Sequence, residues 1–382
     1  MDHFDYIIVG AGSAGCVLAN RLSEDPKVSI CLLEAGPVDS HPLIHMPIGF
    51  SLMSENKKTN WCFETVPQQQ LNGRRGYQPR GRVLGGSSSV NAMVYIRGTP
   101  ADYDRWAEAG ASGWSYQDVL PFFKRSQDQA RGEEEFHGTG GPLAVTDLRY
   151  KNPLSHMFVD AARQLDLPLN DDFNGDSQEG VGFYQVTQRD GRRCSAAAAY
   201  LTPVLGRSNL EVVTGAQVDT LVIEQKRAVG VAFHQGDRKM TLRADREVLL
   251  SAGALQSPQI LMLSGIGPAA HLQEHGIDVV HSSPGVGENL QDHFDYTAIR
   301  RVNSAHAMGY TLSRALRAIP DFVRYLRRAG PFTSNLAEAG GFLRSSSEAP
   351  APDLQLHFVP GIVDDHGRKK HFSGGVSCHV CV

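Results

Sequence analysis

Residues 4–15 read F-D-Y-I-I-V-G-A-G-S-A-G, and this stretch decides the fold. Its first six residues form a short, apolar, β-branched run, which is typical of a buried parallel strand. Gly10, Gly12 and Gly15 follow at the spacing G-x-G-x-x-G. In a strand–turn–helix unit, the first glycine makes the tight turn, the second lets the backbone approach a pyrophosphate, and the third lets the helix pack closely. The sequence therefore predicts a dinucleotide site.

The residues after this motif strengthen the prediction. A helix over about residues 13–23 would direct the backbone amides of Ser13 and Ala14 toward the phosphates. A second apolar run, residues 28–33, ends in Glu34. An acidic residue roughly 20 positions past the glycines, at the carboxyl end of a strand, suits a ribose 2′-hydroxyl. Glu34 argues against NADP, but these features do not separate NAD from FAD.

Composition sets the broad class of the protein. The chain has 382 residues, of which 41% are hydrophobic and 20% charged, and this is enough for two domains. A net charge of −4 gives no basic excess that would indicate nucleic acid. Six dispersed cysteines favour a reducing, cytoplasmic compartment. The fingerprint begins at Gly10, which leaves no room for a signal peptide, and no apolar run is long enough to span a bilayer.

One cysteine pair has a spacing that metal and redox sites also use. Cys378 and Cys381 have C-x-x-C spacing at the end of the chain. We interpret them as two strand residues rather than as a redox pair or metal site. No other His or Cys cluster has ligand spacing, so we expect no metal.

Periodicity predicts several further elements. We expect a helix over residues 87–96, a strand meander, a buried strand over residues 247–251 and a helix over residues 254–264. The meander would use residues 210–213, 217–224, 230–234 and 239–242. Apolar and polar side chains alternate over residues 353–359, so we expect a half-buried strand with Gln355 and His357 on its polar face. This interleaving predicts domains that are discontinuous in sequence.

Residues 311–328 form an amphipathic pattern. On a helical wheel, Arg314, Arg317, Arg324 and Arg328 share one face, opposite an apolar stripe. We expect a packed helix with a solvated arginine face, kinked near Pro320. A helix that lies on a membrane surface is the alternative.

Three motifs together resemble those of the glucose-methanol-choline (GMC) oxidoreductases, nearest to the bacterial alcohol and choline dehydrogenases. They are G10-A-G-S-A-G15 with L33-E34-A35-G36, G81-R-V-L-G-G-S-S-S-V-N91-A-M-V-Y-I-R-G98, and G253-A-L-Q-S-P-Q-I-L-M-L-S-G-I-G267 followed by V286-G-E-N-L-Q-D-H293. The resemblance covers essentially the whole chain. It implies an α/β fold, in which an FAD-binding Rossmann-like domain joins a discontinuous α+β substrate domain built on an antiparallel sheet. We expect residues 1–150 and 205–298 in the first domain, and 151–204 and 299–382 in the second, which is incomplete at its C-terminus.

The resemblance also implies which residues bind FAD. Besides the fingerprint residues with Glu34 and Ala35, the cofactor-binding candidates are Val83, Gly85, Asn91, Ala92, Met93, Val94, Val218, Ala252 and Gly253. Some family members attach FAD through a histidine in the glycine-serine loop. Val90 occupies that position here, so we expect the FAD to be non-covalent.

The implied chemistry is oxidation of an alcohol to an aldehyde or ketone, with hydride transfer to flavin N5. The family base is a histidine in a C-terminal H-P-x-G-T-type motif, which the sequence lacks, so the catalytic residues are unknown. The chain stops at Val382 inside a predicted strand, which favours a piece of a longer protein over a short variant. Among the histidines present, His357 is the substrate-side candidate, with a hydrogen-bonded core histidine as the alternative. We expect His293 to support the cofactor loop and His45 to shape an entrance loop, while Glu338 either lines the substrate cavity or is exposed at the surface.

The sequence thus predicts FAD-dependent oxidation of a primary, aliphatic alcohol. Alternatives are a choline dehydrogenase or oxidase, an FAD-keeping lyase, and a catalytically inactive fragment. We could assemble no aromatic cage for a quaternary ammonium, which favours the aliphatic substrate. The electron acceptor is open among a quinone, a cytochrome and oxygen. A quinone acceptor would suit a peripheral contact at the inner face of the membrane.

Overall fold

The structure is a computed structural model that describes residues 3–310 and 312–382. These residues divide into two compact units. The first unit takes the described residues of segments 1–40, 56–90 and 195–292, and the second takes those of 41–55, 91–194 and 293–382.

The interleaved segments agree with the predicted discontinuity, but the bounds differ from the predicted domains. Residues 41–55 and 91–150 belong to the second unit rather than the first, and residues 195–204 belong to the first. The reason is local pairing after Asn91. Val94 and Thr146 both form isolated bridges with Val186, which draws this long connection to the second unit.

The helices of the described residues are mostly short. In chain order they are α1 Ser13–Leu22, α2 Pro42–His45, α3 Pro100–Glu108, α4 Tyr116–Ser126, α5 Pro153–Gln164, α6 Gly253–Leu263, α7 Ala269–Glu274 and α8 Leu312–Leu326. The predicted helices over residues 13–23 and 254–264 are therefore confirmed as α1 and α6.

The strands of the described residues fall into two larger sheets and several small pairs. They are β1 His3–Val9, β2 Ile30–Glu34, β3 Phe63–Glu64, β4 Tyr77–Gln78, β5 Gln127–Gln129, β6 Leu143–Val145, β7 Gly180–Phe183, β8 Gln188–Arg189, β9 Arg192–Arg193, β10 Leu210–Thr214, β11 Ala216–Glu224, β12 Arg227–Gln235, β13 Arg238–Leu250, β14 Ile266–Gly267, β15 His281–Ser282, β16 Asp295–Arg301, β17 Ala339–Leu343, β18 Leu354–Val359 and β19 Gly375–Cys381.

A six-stranded sheet in the order β10-β2-β1-β13-β12-β11 organises the first unit. The pairs β10–β2, β2–β1 and β1–β13 are parallel, whereas β13–β12 and β12–β11 are antiparallel. The core forms around the parallel strands, where Ile7, Val9, Cys31 and Leu33 are almost fully buried. Strands buried on both faces require the continuous apolar runs seen in this sequence.

Two details of this sheet correct the predicted meander. Residues 210–213 do not belong to it, because β10 pairs in parallel with β2, from Leu210 opposite Ile30 to Thr214 opposite Glu34. The segments predicted as two separate strands, 239–242 and 247–251, are one strand. The first half of β13 pairs with β12 and the second half with β1, so a single strand joins the antiparallel and parallel parts.

A five-stranded antiparallel sheet in the order β16-β19-β18-β17-β7 organises the second unit. The predicted strand over residues 353–359 is β18, and Phe158 stacks on Phe358 with ring centroids 4.7 Å apart. Cys378 and Cys381 are strand residues of β19, as interpreted from the sequence.

The predicted helix over residues 87–96 is wrong. A single 3₁₀ turn covers Gly86–Ser89, and the chain then continues without helix to Pro100. Met93 has a φ of +59°, which an α-helix does not accept, and its N–H donates to Oδ1 of Asn91 at 3.0 Å. The Asn91 side chain therefore competes with the helical hydrogen-bond pattern.

The expected packing of the amphipathic helix is wrong for its apolar stripe, although Arg317 and Arg324 are exposed as expected. The structure describes it as α8; the predicted first residue, Thr311, lies outside the described residues. The apolar side chains of Leu316, Ile319 and Leu326 are 70%, 74% and 64% exposed. Arg314 and Asp321 instead pack inward as an ion pair, with N–O distance 2.6 Å and side chains 15% and 5% exposed.

Within the described residues, the structure contains no helix that combines the length and the apolar character needed to cross a bilayer.

Candidate functional site

The β1–α1 turn is built so tightly that it requires glycine. Gly10 has a φ of +94°, and its N–H donates to the Leu33 carbonyl at 2.8 Å. A Cβ on Gly15 would lie 1.9 Å from the Gly10 carbonyl oxygen. Gly12 is different, because a Cβ there would meet nothing closer than the Ser251 carbonyl at 4.0 Å. The space beside Gly12 is thus left open.

The N-terminus of α1 offers backbone donors at this turn. Gly12 is the N-cap, and it supplies no side-chain hydrogen bond to the first turn. The free amides and the positive end of the helix dipole favour an anion such as a pyrophosphate. Ser13 and Ala14, at the start of α1, line a cleft together with Gly10 and Gly12.

Glu34, the last residue of β2, lines the same cleft. Its carboxylate accepts hydrogen bonds from the Ala11 amide at 2.9 Å and the Gly36 amide at 2.8 Å. The residue is only 6% exposed, and burial raises the pKa of its carboxyl group, against the lowering effect of the two amides. A carboxylate has about four acceptor positions, so two amides leave capacity for a ribose hydroxyl.

The cleft has a volume of about 830 Å³ and lies within the first unit. It is bounded by the carboxyl ends of β1, β2 and β13, where ligands of parallel α/β sheets bind. Of the predicted cofactor residues, the structure places these in its lining: Gly10, Gly12, Ser13, Ala14, Glu34, Ala35, Val218, Ala252 and Gly253.

The glycine-serine loop contacts the fingerprint directly. The Gly85 N–H donates to the Ala11 carbonyl at 2.8 Å, and Gly85 has a φ of +87°. A Cβ on Gly86 would lie 2.8 Å from the Cα of Gly12. Gly86 lines the cleft, whereas Val83 is fully buried beside the loop. The two glycine motifs therefore form one surface, as a long dinucleotide would require.

The remaining predicted cofactor residues, 91–94, belong to the second unit. Asn91 Oδ1 accepts from Arg193 Nη1 at 2.9 Å, and the Asn335 side chain donates to the Ala92 carbonyl at 2.7 Å. Met93 is buried, and Val94 bridges Val186. Their role toward a cofactor stays a prediction.

Sequence reasoning missed two aromatic residues of the cleft. Trp61 and Phe63 line it, and their rings stack with centroids 5.6 Å apart and planes 8° apart. The Arg82 guanidinium lies over the Trp61 ring, 4.9 Å from its centroid. Only Phe63 lies in β3, and Cys62 between the two aromatics has a φ of +53°, so a strand periodicity in the sequence could not have found this pair.

His357 lies on β18, opposite His379 of β19 and Gly340 of β17. Its ring is 5.4 Å from that of Tyr184. Burial, then the nearby His379, lowers the pKa of His357 to about 4. His379 itself is hydrogen-bonded through Nδ1 to Asp295, at 2.7 Å. His357 is therefore neutral near pH 7 and able to accept a hydrogen bond.

The structure places Glu338, His45 and His293 in three different environments. Glu338 is fully buried and accepts from the Asn152 amide at 2.6 Å, Ser155 Oγ at 2.7 Å and Ser334 Oγ at 2.5 Å. Burial raises the pKa of its carboxyl group. His45 ends α2, and His293 is exposed. Glu338 thus ties the start of α5 to the residue 334–338 loop.

One group of side chains, not singled out in the sequence, has metal-ligand chemistry. Potential ligand atoms of Glu134, His137 and Asp172 lie within 4.8 Å of one another. His137 Nε2 is 2.7 Å from Asp172, while its Nδ1 is 3.1 Å from the Gln127 amide nitrogen. Hydrogen bonds on both ring nitrogens account for this buried histidine.

Comparison with known proteins agrees with this geometry. The GMC oxidoreductase family model matches residues 4–295. An alcohol dehydrogenase [acceptor] from Pseudomonas putida is 50% identical over 382 residues, which is 99% of this chain and 69% of that protein. An oxygen-dependent choline dehydrogenase from Brucella ovis is 44% identical over 376 residues, covering 98% of this chain and 68% of that protein.

Solved structures give the same result. A pyridoxine 4-oxidase from Mesorbium loti superimposes with a TM-score of 0.85 and 31% identity, covering 99% of this chain and 71% of that one. A formate oxidase variant (R554K) from Aspergillus oryzae superimposes with a TM-score of 0.89 and 26% identity, covering 100% of this chain and 73% of that one. With its fingerprint, glycine-serine loop and cleft in place, the chain belongs to the GMC oxidoreductases, FAD-dependent enzymes that act on CH–OH groups.

Proposed function

We propose that this protein oxidises a primary, aliphatic alcohol to an aldehyde, with non-covalent FAD held in the cleft of the first unit. The observation that carries the proposal is the uncapped N-terminus of α1 opening into a cleft that also holds the Glu34 carboxylate. FAD, when bound, supplies the hydride acceptor for oxidation of the CH–OH group. Membership of the GMC family supports this chemistry.

The chain's own residues hold the cofactor in distinct ways. The amides of Ser13 and Ala14 bind the pyrophosphate, and Gly12 leaves it room. Glu34 accepts a ribose hydroxyl with its remaining acceptor positions. Backbone groups of Val218 bind the adenine edge. The resemblance implies further cofactor contacts at Val83, Gly85 and residues 91–94.

On the substrate side we propose His357. A neutral imidazole can accept a hydrogen bond from the alcohol hydroxyl and so orient the substrate. The lowered pKa of His357 supports the neutral form at physiological pH.

Two observations favour an aliphatic alcohol over choline. A quaternary ammonium is bound by aromatic faces or a carboxylate. In the first unit, the Trp61 face already carries the Arg82 guanidinium. In the second unit, Glu338 is fully buried and accepts three hydrogen bonds from protein groups. Neither feature is open to a choline headgroup.

Non-covalent attachment follows from Val90, which has no nucleophile at the loop position used for tethering. We expect acid precipitation of the purified protein to release all of its flavin into the supernatant. Flavin that stays with the pellet would contradict this part of the proposal.

We propose that the electron acceptor is a quinone, a cytochrome or oxygen. Peroxide release in air would identify oxygen, whereas reduction of a soluble quinone analogue without peroxide would identify a dehydrogenase. The cytoplasmic location inferred from the cysteines, with peripheral contact at the inner membrane face, is part of this proposal.

The substrate test is anaerobic addition of 1-octanol or choline to the flavin-loaded chain. We expect 1-octanol to bleach the flavin bands at a lower concentration than choline does. Preferential bleaching by choline would overturn the substrate assignment, and bleaching by neither would overturn the proposed activity.

A further inference from the structure

An outward-facing apolar ridge runs along α8. Its most exposed members are Leu316, Ile319 and Leu326, at 70%, 74% and 64% exposure. Phe322 and Val323 lie between them and are also exposed. At 100° per residue these five side chains occupy about one third of the helix circumference. Contiguous exposed apolar surface of this kind marks an interaction site.

The opposite face of α8 fixes the helix in this orientation. Asp321 is buried and bound by Arg314 at 2.6 Å, and Tyr325 is buried on the same side. Tyr325 Oη lies 3.5 Å from the His45 carbonyl. Both partners of this ion pair belong to α8, so the contacts of the helix with other segments fix its orientation. Besides Tyr325, Arg317 Nη1 donates to the Ala305 carbonyl at 2.7 Å. The apolar ridge is therefore held outward by the packing of the polar face.

The charges beside the ridge have one sign. Arg317, Arg324 and Arg327 are exposed on the flank of α8 and just after it. Between residues 314 and 328 the single acidic residue is Asp321, which is buried. An apolar ridge with a basic flank matches a helix that lies in the headgroup region of an anionic membrane.

A pair of exposed aromatic residues, one of them just before α8, has similar chemistry. Phe372 is 81% exposed, and its ring lies 6.3 Å from that of Tyr310. The ammonium group of Lys370 lies 5.9 Å from the Tyr310 ring centroid. Aromatic rings beside lysines are typical of the membrane–water interface. The two segments are far apart in sequence but offer the same chemistry.

From this geometry we infer that α8, with the Tyr310–Phe372 pair, binds the surface of an anionic lipid bilayer. The inference gives a binding surface to the membrane contact raised in the proposed function. It rests on the proposed function for that contact alone. The ridge enters the headgroup region, and the arginines remain at the level of the phosphates. A helix of 15 residues is about 22 Å long, so it lies along the surface.

The test is co-sedimentation of the full chain with vesicles of phosphatidylcholine, or of equal parts of phosphatidylcholine and phosphatidylglycerol. We expect binding to the anionic vesicles, at least about tenfold weaker in the ridge variant L316Q/I319Q/L326Q. The flank variant R317Q/R324Q/R327Q should lose binding to a similar extent, and its residual binding should not depend on salt.

The matched control is F122Q/M157Q/L165Q, which removes three other exposed apolar side chains of the second unit. It should bind like the unmodified chain. Thermal melting of each variant checks folding, and flavin content is measured separately, so failure of the proposed activity does not affect this result.

Two outcomes would overturn the inference. One is equal binding by the ridge variant and the control. The other is a wild-type dimer in solution that the ridge variant alone dissociates, without vesicle binding by either, since a second copy would then cover the ridge.

Discussion

At the residue scale, the three fingerprint glycines have three different reasons to be glycine. Gly10 needs its left-handed φ, and Gly15 needs the space that a Cβ would take from the Gly10 carbonyl. Gly12 needs neither for folding. The glycine spacing was readable in the sequence because it reflects backbone geometry. The second cleft surface, Trp61 and Phe63, depends on where a short strand lies, which local periodicity does not specify.

This difference predicts separable effects of two alanine substitutions. We expect G12A to keep the melting temperature but weaken FAD binding by about tenfold or more, since its Cβ occupies the pyrophosphate position. G15A should lose FAD and also at least about 2 kcal/mol of unfolding free energy, because the backbone must move. Calorimetry and flavin titration measure both quantities.

Gly206 provides the control for this pair. A Cβ there would meet nothing within 4 Å, so G206A should alter neither quantity. If G12A and G15A had equal effects on stability, the assigned roles would be incorrect.

His357 gives a pH-dependent prediction. Its pKa is lowered from 6.5 to about 4, so between these values the unfolded chain holds a proton that the folded chain lacks. The resulting stability is complete above pH 6.5 and is lost as the pH falls toward 4, by up to about 3 kcal/mol. Compared with H357Q, the wild-type free energy of unfolding should therefore rise more steeply with pH in this window.

Urea unfolding across this pH range measures the difference. H306Q, which changes an exposed histidine, should follow the wild-type profile. Parallel profiles for the wild type and H357Q would show that the histidine titrates normally.

At the scale of elements, sequence patterns predicted whether a segment forms a helix or a strand more reliably than they predicted which of its faces is buried. β1, β2, α1 and α6 follow from apolar runs and glycines. The helix over residues 87–96 was wrong because Asn91 and Met93 fix a local turn that periodicity cannot reveal. The orientation of α8 was wrong because Asp321 and Tyr325 are buried, with Arg314 paired to Asp321 on the same face, and helical periodicity does not reveal these contacts.

That ion pair can be tested within α8. D321N should lower the unfolding free energy by about 2–4 kcal/mol, since Arg314 would be left without its buried carboxylate. Arg324 contacts the same carboxylate at 3.4 Å but is 65% exposed. R324Q should therefore change stability by less than about 0.5 kcal/mol.

Chemical denaturation of the two variants beside the wild type measures this contrast. Equal losses would mean that the exposed Arg324 contact accounts for the whole effect of D321N, and that the buried Arg314–Asp321 pair does not stabilise α8.

At the scale of the whole molecule, the sequence predicted two interleaved domains but misplaced residues 41–55 and 91–150. Domain bounds depend on long-range pairing, such as the bridges of Val94 and Thr146 to Val186. Sequence patterns predicted the cofactor site better than the substrate site, because phosphate binding follows from local backbone geometry. The substrate side depends on side chains gathered from distant strands.

The central claim is that this chain binds FAD in the cleft of the first unit and reduces it with an alcohol. The most direct measurement is the absorption spectrum of the purified 382-residue chain, before and after anaerobic addition of 1-octanol. The account predicts a yellow protein whose flavin bands bleach, and a G12A variant that is purified with little flavin. A colourless protein, or bound flavin that no alcohol reduces, would contradict it.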